Sequence, residues 1–293
     1  MSAPTTGGPA APTTGGTAAP TTGGQAAPTT GGPAAWAPGA LAPQPGRAPL
    51  GRMLLAQTAA ELRLVLRNGE QVLLNLVLPI GLLVVVTLLP FVSVAGADSR
   101  AERADYFVPG LLALAVMSSA FTGQAIAVGF ERQYGVLKRL GATPLPRSVL
   151  LLAKTLGVLV VQVLQLGAIA LVGLTLGWDP RGVVGSVLLL VALGTAAFSG
   201  LGLLLGGTLP GLTSLAVANR VWLVLLVLGG VLFPLAEFGP AQGLLSLLPT
   251  AALSHGLREV LSGGTTAPVR DVLALAGWAV VGLSAAARFF RWE

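Results

Sequence analysis

From residue 72 to residue 288 the chain alternates long apolar runs with short polar breaks. Six runs reach the length a bilayer core demands of a helix, about 20 residues. They cover roughly 72–95, 106–130, 149–177, 183–208, 215–236 and 269–288. Pro79, Pro90, Pro109 and Gly123 fall inside them, and both residue types are commoner in membrane helices than in soluble ones. Gly173 with Gly177, and Gly202 with Gly206, are small-xxx-small pairs that allow close helix packing.

Two segments break this pattern. At residues 51–70 the apolar positions return at helical spacing, with Leu54, Leu55, Thr58, Ala59, Leu62, Val65 and Leu66 on one arc. Arg52, Arg63, Arg67 and Glu70 stand beside that arc, which predicts an amphipathic helix lying in the membrane interface. Residues 237–268 are too apolar for a loop, yet their two short helical patterns, near 240–247 and 249–262, are too short to span. They predict a re-entrant hairpin; two helices lying flat at the surface are the alternative. The expected fold is an all-α integral membrane protein: an interfacial helix, six transmembrane helices and a re-entrant hairpin before the last span.

Composition agrees. Of 293 residues, 54% are hydrophobic and 10% charged, against about 25% charged in a soluble domain. Mean hydropathy is +0.82. A soluble enzyme is excluded. Residues 3–34 are four near-copies of an eight-residue Ala/Pro/Thr/Gly unit. Such a unit lacks the apolar face that solenoid repeats stack, so residues 1–49 are expected to be a disordered tail and 50–293 the membrane domain.

Charge sets the orientation, because cytoplasmic loops are enriched in Lys and Arg. With both termini in the cytoplasm, twelve basic and four acidic residues lie inside, and five basic and seven acidic lie outside. The inner face carries +8 and the outer −2. This distribution suits a plasma-membrane protein in contact with lipid better than a nucleic-acid binder.

Chemistry is sparse. There is no cysteine and one histidine, His255, so neither a metal centre nor a thiol site is expected. No phosphate loop, HExxH or GxSxG motif occurs. Ser254, His255 and Glu259 sit on one short helix, where they would point poorly for proton relay. Within the spans, Lys154, Arg220 and Glu237 are expected near ends, where their heads can snorkel. The other polar residues are neutral: Asn75, Ser118, Ser119, Thr122, Gln124, Gln162, Gln165, Thr195 and Ser199. They can line a path for a large amphipathic molecule, or serve as interhelical hydrogen-bond glue. Ion-coupled carriers mark their path with intramembrane ionisable groups, so an ion-coupled carrier or channel is the weaker alternative, with a membrane scaffold as a third.

The most distinctive segment is the loop after the second span, residues 130–154. Phe130, Tyr134 and Leu137 follow i, i+4, i+7 spacing, which predicts a short helix with one apolar face. Glu131, Arg132, Lys138 and Arg139 charge the rest of it; Gly141 suits a helix stop, and Pro144 and Pro146 stiffen the return. Such a helix can dock a soluble partner, or hold to anionic lipid.

Glu131, Arg132, Gly135, Leu137, Leu140, Thr143, Pro144 and Arg147 form an ER-x-x-G-x-L-x-x-L-x-x-TP-x-x-R pattern, with Lys154 at the head of the next span. This pattern resembles the ABC-2 family of ABC transporter permeases, and within it the permeases of actinobacterial drug and antibiotic exporters of the daunorubicin type. The resemblance covers about residues 50–293. It implies a permease subunit without its own ATPase site, paired with a second permease copy or a different permease. Separate nucleotide-binding subunits would bind ATP and Mg and drive export of a drug, antibiotic or lipid-like compound. Glu131, Arg132, Tyr134, Gly135, Lys138, Arg139, Pro144 and Arg147 would then be ATPase-coupling residues. Ser118, Ser119, Thr122 and Gln124 on the second span would line the substrate path. Lys138 is basic where the family is usually acidic.

Overall fold

The structure, a computed structural model, describes residues 48–67, 69–89 and 99–290. The repeat tail up to residue 47, and the end of the first expected span with the loop after it, lie outside the described residues. Every regular element among the described residues is helical, so the protein is an all-α membrane protein. The helices are α1 (Leu50–Arg67), α2 (Gly69–Leu88), α3 (Arg100–Met117), α4 (Gln124–Gln133), α5 (Val136–Gly141) and α6 (Arg147–Thr175). They continue as α7 (Val184–Thr208), α8 (Gly211–Leu228), α9 (Gln242–Leu245), α10 (Pro249–Leu261) and α11 (Val269–Phe289). A π-helical segment, Ser118–Gly123, joins α3 to α4. Together the three make one helix, Arg100–Gln133.

Among the described residues five helices are long and apolar enough to cross a membrane: Arg100–Gln133, α6, α7, α8 and α11. In α2 the apolar stretch is Leu76–Leu88. The helices start where local chemistry tells them to. Ser99 caps α3 through a capping box, accepting from the Glu102 N–H while the Glu102 carboxylate accepts from the Ser99 N–H. Pro146, Pro210 and Pro268 stand just before α6, α8 and α11 in extended conformation. Proline has no N–H to leave unpaired there, and its fixed φ suits the entry.

The core centres on α3, buried from Phe107 to Met117 beneath α2, α6, α7 and α10. Close approach makes this possible. A Cβ on Gly202 would stand 2.6 Å from the Phe121 carbonyl oxygen, and one on Gly206 2.6 Å from that of Ala125. The second small-xxx-small pair thus seats α7 against the π segment and α4. A smaller apolar cluster, including Val128, Leu150, Leu151, Leu203 and Phe290, closes the end of the bundle where α4 meets α6.

Two expectations change. The fifth helix starts at Gly211 and ends at Leu228, not at 215 and 236, because Gly229 and Gly230 stop it. Arg220 therefore lies in mid-helix, exposed, rather than near an end. Next, the expected helix at 240–247 is a 3-10 turn, Leu235–Ala241, followed by the four residues of α9. Gly239, at φ 52 and ψ −125, breaks the segment there. The other expected helix is α10, whose residues are mostly buried against α3, α7 and α11. On α1, the expected interfacial helix, the inward-facing residue is an acid. Leu55 is 72% exposed, whereas Glu61 is buried and faces α6.

Candidate functional site

The connector between α4 and α6 bends where one glycine allows it. Gly135 adopts φ +70, a left-handed backbone that a side chain disfavours, so α4 stops at Gln133 and α5 starts anew at Val136. The predicted single helix is thus two, broken at Gly135, and α5 then stops at Gly141 as expected. The predicted apolar face splits with it. Leu137 is fully buried in the cluster of Val128, Leu150 and Leu203 and anchors α5. Tyr134 stays 69% exposed, stacked on Phe130 with ring centroids 6.0 Å apart. Val136, Lys138, Arg139 and Pro144 are exposed beside it. Arg147 is also exposed and directs a guanidinium N–H toward the Phe290 carbonyl oxygen at 3.5 Å, at the end of α11.

Glu131 and Lys154 do not belong to that surface. Lys154 is 5% exposed, and its ammonium donates to the Glu131 carboxylate at 2.8 Å and to Glu61 at 3.0 Å. Gln57 holds the other oxygen of Glu61 at 2.8 Å. A snorkelling lysine was expected here; instead the head points inward, because two carboxylates from α1 and α4 await it. The cluster joins three helices under α5. It lines a cleft of about 170 Å³ that also includes Ser119, Gly123, Gln124 and apolar residues such as Val65, Val158 and Val161. Sequence reasoning missed Glu61 altogether. Its one signal was a lysine in an apolar run, which demands a counter-charge.

The second-span residues fall on or beside the π segment. Ser119 donates to the Ala115 carbonyl oxygen and accepts from Gln162, whose carbonyl oxygen accepts from Thr195 at 2.6 Å. Gln124 donates to Ser199 at 2.8 Å, and Ser118 accepts from the Trp222 indole at 2.8 Å. These bonds tie α3, α4, α6, α7 and α8 together. The Thr122 hydroxyl and the Gln124 carbonyl oxygen are buried without a hydrogen-bond partner. The side chain of Asn75 lies outside the described residues.

At the other end of the bundle, Ser254 donates to the Gly229 carbonyl oxygen, and His255 points away toward Asp271 at 2.7 Å. The Ser-His-Glu set is therefore split across two sides of α10.

A bundle of apolar helices with a short surface helix after Arg100–Gln133 has a counterpart among known sequences. The profile of the family described as "ABC-2 type transporter" matches residues 53–261. The chain belongs to the ABC-2 type transporter family. It is also 29% identical over 223 residues to the Bacillus subtilis (strain 168) protein named "Putative transport permease YvfS", an alignment covering 73% of this chain and 87% of the relative. As an ABC-2 family member it is a multi-pass transmembrane permease subunit of a transporter. The matched stretch takes in α5, the buried charge cluster, the π segment and α10.

Proposed function

We propose that this chain is the membrane half of an ATP-driven exporter in a bacterial plasma membrane. It has six spans and both termini in the cytoplasm, and works as a pair of permeases. Separate ATPase subunits, which bind ATP and Mg, dock on α5 and its flanks. The observation that carries this reading is the build of α5. An exposed valine and two cations stand on a short helix that Leu137 plugs into the core, with an exposed tyrosine beside it at the end of α4. Beneath it, Glu131, Lys154 and Glu61 clamp the base of α4 to α6 and α1. A push on α5 is therefore passed to three helices rather than absorbed by a loose loop. Tyr134, Gly135, Lys138, Arg139, Pro144 and Arg147 form the docking surface, with Arg132 half-buried at its edge. Glu131 acts from below, as a positioning residue.

The cargo is a hydrophobic or amphipathic compound: a drug, an antibiotic or a lipid-like molecule. The cleft beside the π segment, mostly apolar with Ser119 and Gln124 in its wall, suits such cargo. The unpartnered oxygens of Thr122 and Gln124 are groups that a passing polar moiety can satisfy.

Co-purification tests the partner. A phosphate-loop ATPase encoded beside this gene should elute with the tagged chain. Replacing Tyr134→Ala with Lys138→Glu and Arg139→Glu should abolish that elution while the unfolding midpoint stays put. Retention of the ATPase by this variant would overturn the docking surface. Transport that survives an ATPase-dead partner but stops with a proton uncoupler would favour the ion-coupled alternative.

A further inference from the structure

The end of the bundle opposite α5 holds a second cavity, of about 260 Å³, between α3, the 3-10 turn, α10 and α11. Its polar lining includes Tyr106, Ser246, His255, Arg258, Arg270 and Asp271. The docking surface and the cleft leave it unused.

Its charges are unbalanced in one direction. Arg258 lies with its guanidinium 4.1 Å from the centre of the Tyr106 ring. It donates to the carbonyl oxygens of Tyr106 and Gly230, each at 3.2 Å. Among the described residues no carboxylate pairs with it, and none pairs with Arg270. Burial pushes the Arg258 guanidinium below its ordinary range, as expected of a cation held without an acid. Arg270 donates to the Ser246 hydroxyl. The carboxylate in the lining, Asp271, is engaged by His255 at 2.7 Å. Glu259, 4.0 Å from the other imidazole nitrogen, and Glu237 on the 3-10 turn lie outside the lining.

A second observation also points to a ligand. The Tyr106 hydroxyl is buried and has no hydrogen-bond partner, a costly state unless something supplies one. The space is small for a whole drug-sized molecule. Leu244 and Leu247, 74% and 51% exposed, stand close to the lining residue Ser246 in the chain and offer an apolar surface for a tail.

We propose that this cavity binds the anionic head group of an amphiphile, of the phosphate class, with Arg258 and Arg270 pairing the charge and the Tyr106 hydroxyl donating to an oxygen. The guanidinium fork matches phosphate geometry. The site depends neither on the direction of transport nor on the ATPase partner. The head group can come from a bilayer lipid or from the transported compound.

The test uses the full chain in phosphatidylcholine nanodiscs, with the unfolding midpoint read against dodecyl phosphate, dodecyltrimethylammonium and inorganic phosphate. Dodecyl phosphate should raise the midpoint saturably; the cationic amphiphile should not, and inorganic phosphate should act only at far higher concentration. Tyr106→Phe deletes a hydroxyl that no protein atom uses, so it should raise the ligand-free midpoint or leave it in place, never lower it. It should weaken dodecyl phosphate about tenfold, as loss of a hydrogen bond to a charged group does. Arg270→Gln, on an exposed residue, should do the same. Phosphatidylglycerol in the nanodisc identifies a lipid site if it competes with dodecyl phosphate, and a cargo site if it does not. Absence of a saturable response, an equal response to the cation, or unchanged affinity in both variants would overturn the proposal.

Discussion

Lys154 on α6 and Glu61 on α1, 93 positions apart in the chain, meet at 3.0 Å in a buried ion pair that Glu131 completes from α4. Removing one member of a buried pair leaves a charge with no partner and costs about 3–5 kcal/mol. Lys154→Met should therefore unfold at markedly lower denaturant. The triple variant Glu61→Gln, Glu131→Gln, Lys154→Met should recover most of the loss, because no charge remains stranded. Equal instability of the single and triple variants in an unfolding titration would show that the cluster is not held together by charge.

Gly202 tests the packing of α7. Its added Cβ would meet the backbone of Phe121 at 2.6 Å, whereas Gly167 on α6 has nothing within 4 Å. Gly202→Ala should destabilise by about 1–3 kcal/mol, and Gly167→Ala should be neutral or stabilising by up to about 1 kcal/mol. Thermal unfolding of the two variants side by side checks the difference.

At the α4–α5 break, Gly135→Ala forces a side chain into left-handed backbone, at about 1–2 kcal/mol. Gly141→Ala has no such cost, since Gly141 ends α5 in helical conformation. Hydrogen exchange should show faster opening of α5 in the first variant and slower or unchanged opening in the second. The reverse order would show that the α4–α5 break does not depend on the left-handed backbone at Gly135.

His255 makes stability depend on pH. Its hydrogen bond to Asp271 raises the imidazole above its ordinary 6.5, with burial opposing and the nearby carboxylates adding to the rise. A raised pKa means the folded state holds the proton more tightly. This contribution is therefore full below 6.5 and is lost as pH climbs through the raised value. The unfolding midpoint should fall across that alkaline interval, and His255→Gln should flatten the fall.

Arg220 stands exposed in the middle of α8. A cation at that depth turns to water or to another protein chain rather than to lipid. The chain has no cysteine, so Arg220→Cys gives a single reporter. It should react with a membrane-impermeant thiol reagent or cross-link to a second copy. A thiol that does neither would place this face against lipid.

Apolar run lengths alone located α6, α7 and α11 almost to the residue, because a helix in hydrocarbon has to be long and oily whatever it packs against. Pro146, Pro210 and Pro268 stand just before α6, α8 and α11, a local start signal that run length does not read, so the fifth helix begins at Gly211 rather than at 215. The end of α8 was also less legible, because the apolar stretch continues past Gly229 and only the turn at Gly230 shows that the helix does not. In the connector, the order of Phe130, Tyr134 and Leu137 pointed to a helix. Which of them is buried followed from the left-handed turn at Gly135, which rotates α5 relative to α4.

The residue order by itself determined the all-helical membrane architecture, the extents of α6, α7 and α11 and the position of the charged connector between α4 and α6. All of these rest on composition and short-range periodicity. Tertiary structure alone decided that Glu61 and Glu131 close on Lys154, that Ser119, Gln162 and Thr195 form one chain of hydrogen bonds, and that Tyr106 and Arg258 face a common cavity with Arg270. Such groupings depend on which helix faces meet, and that is set by packing over distances in the chain that no local pattern records.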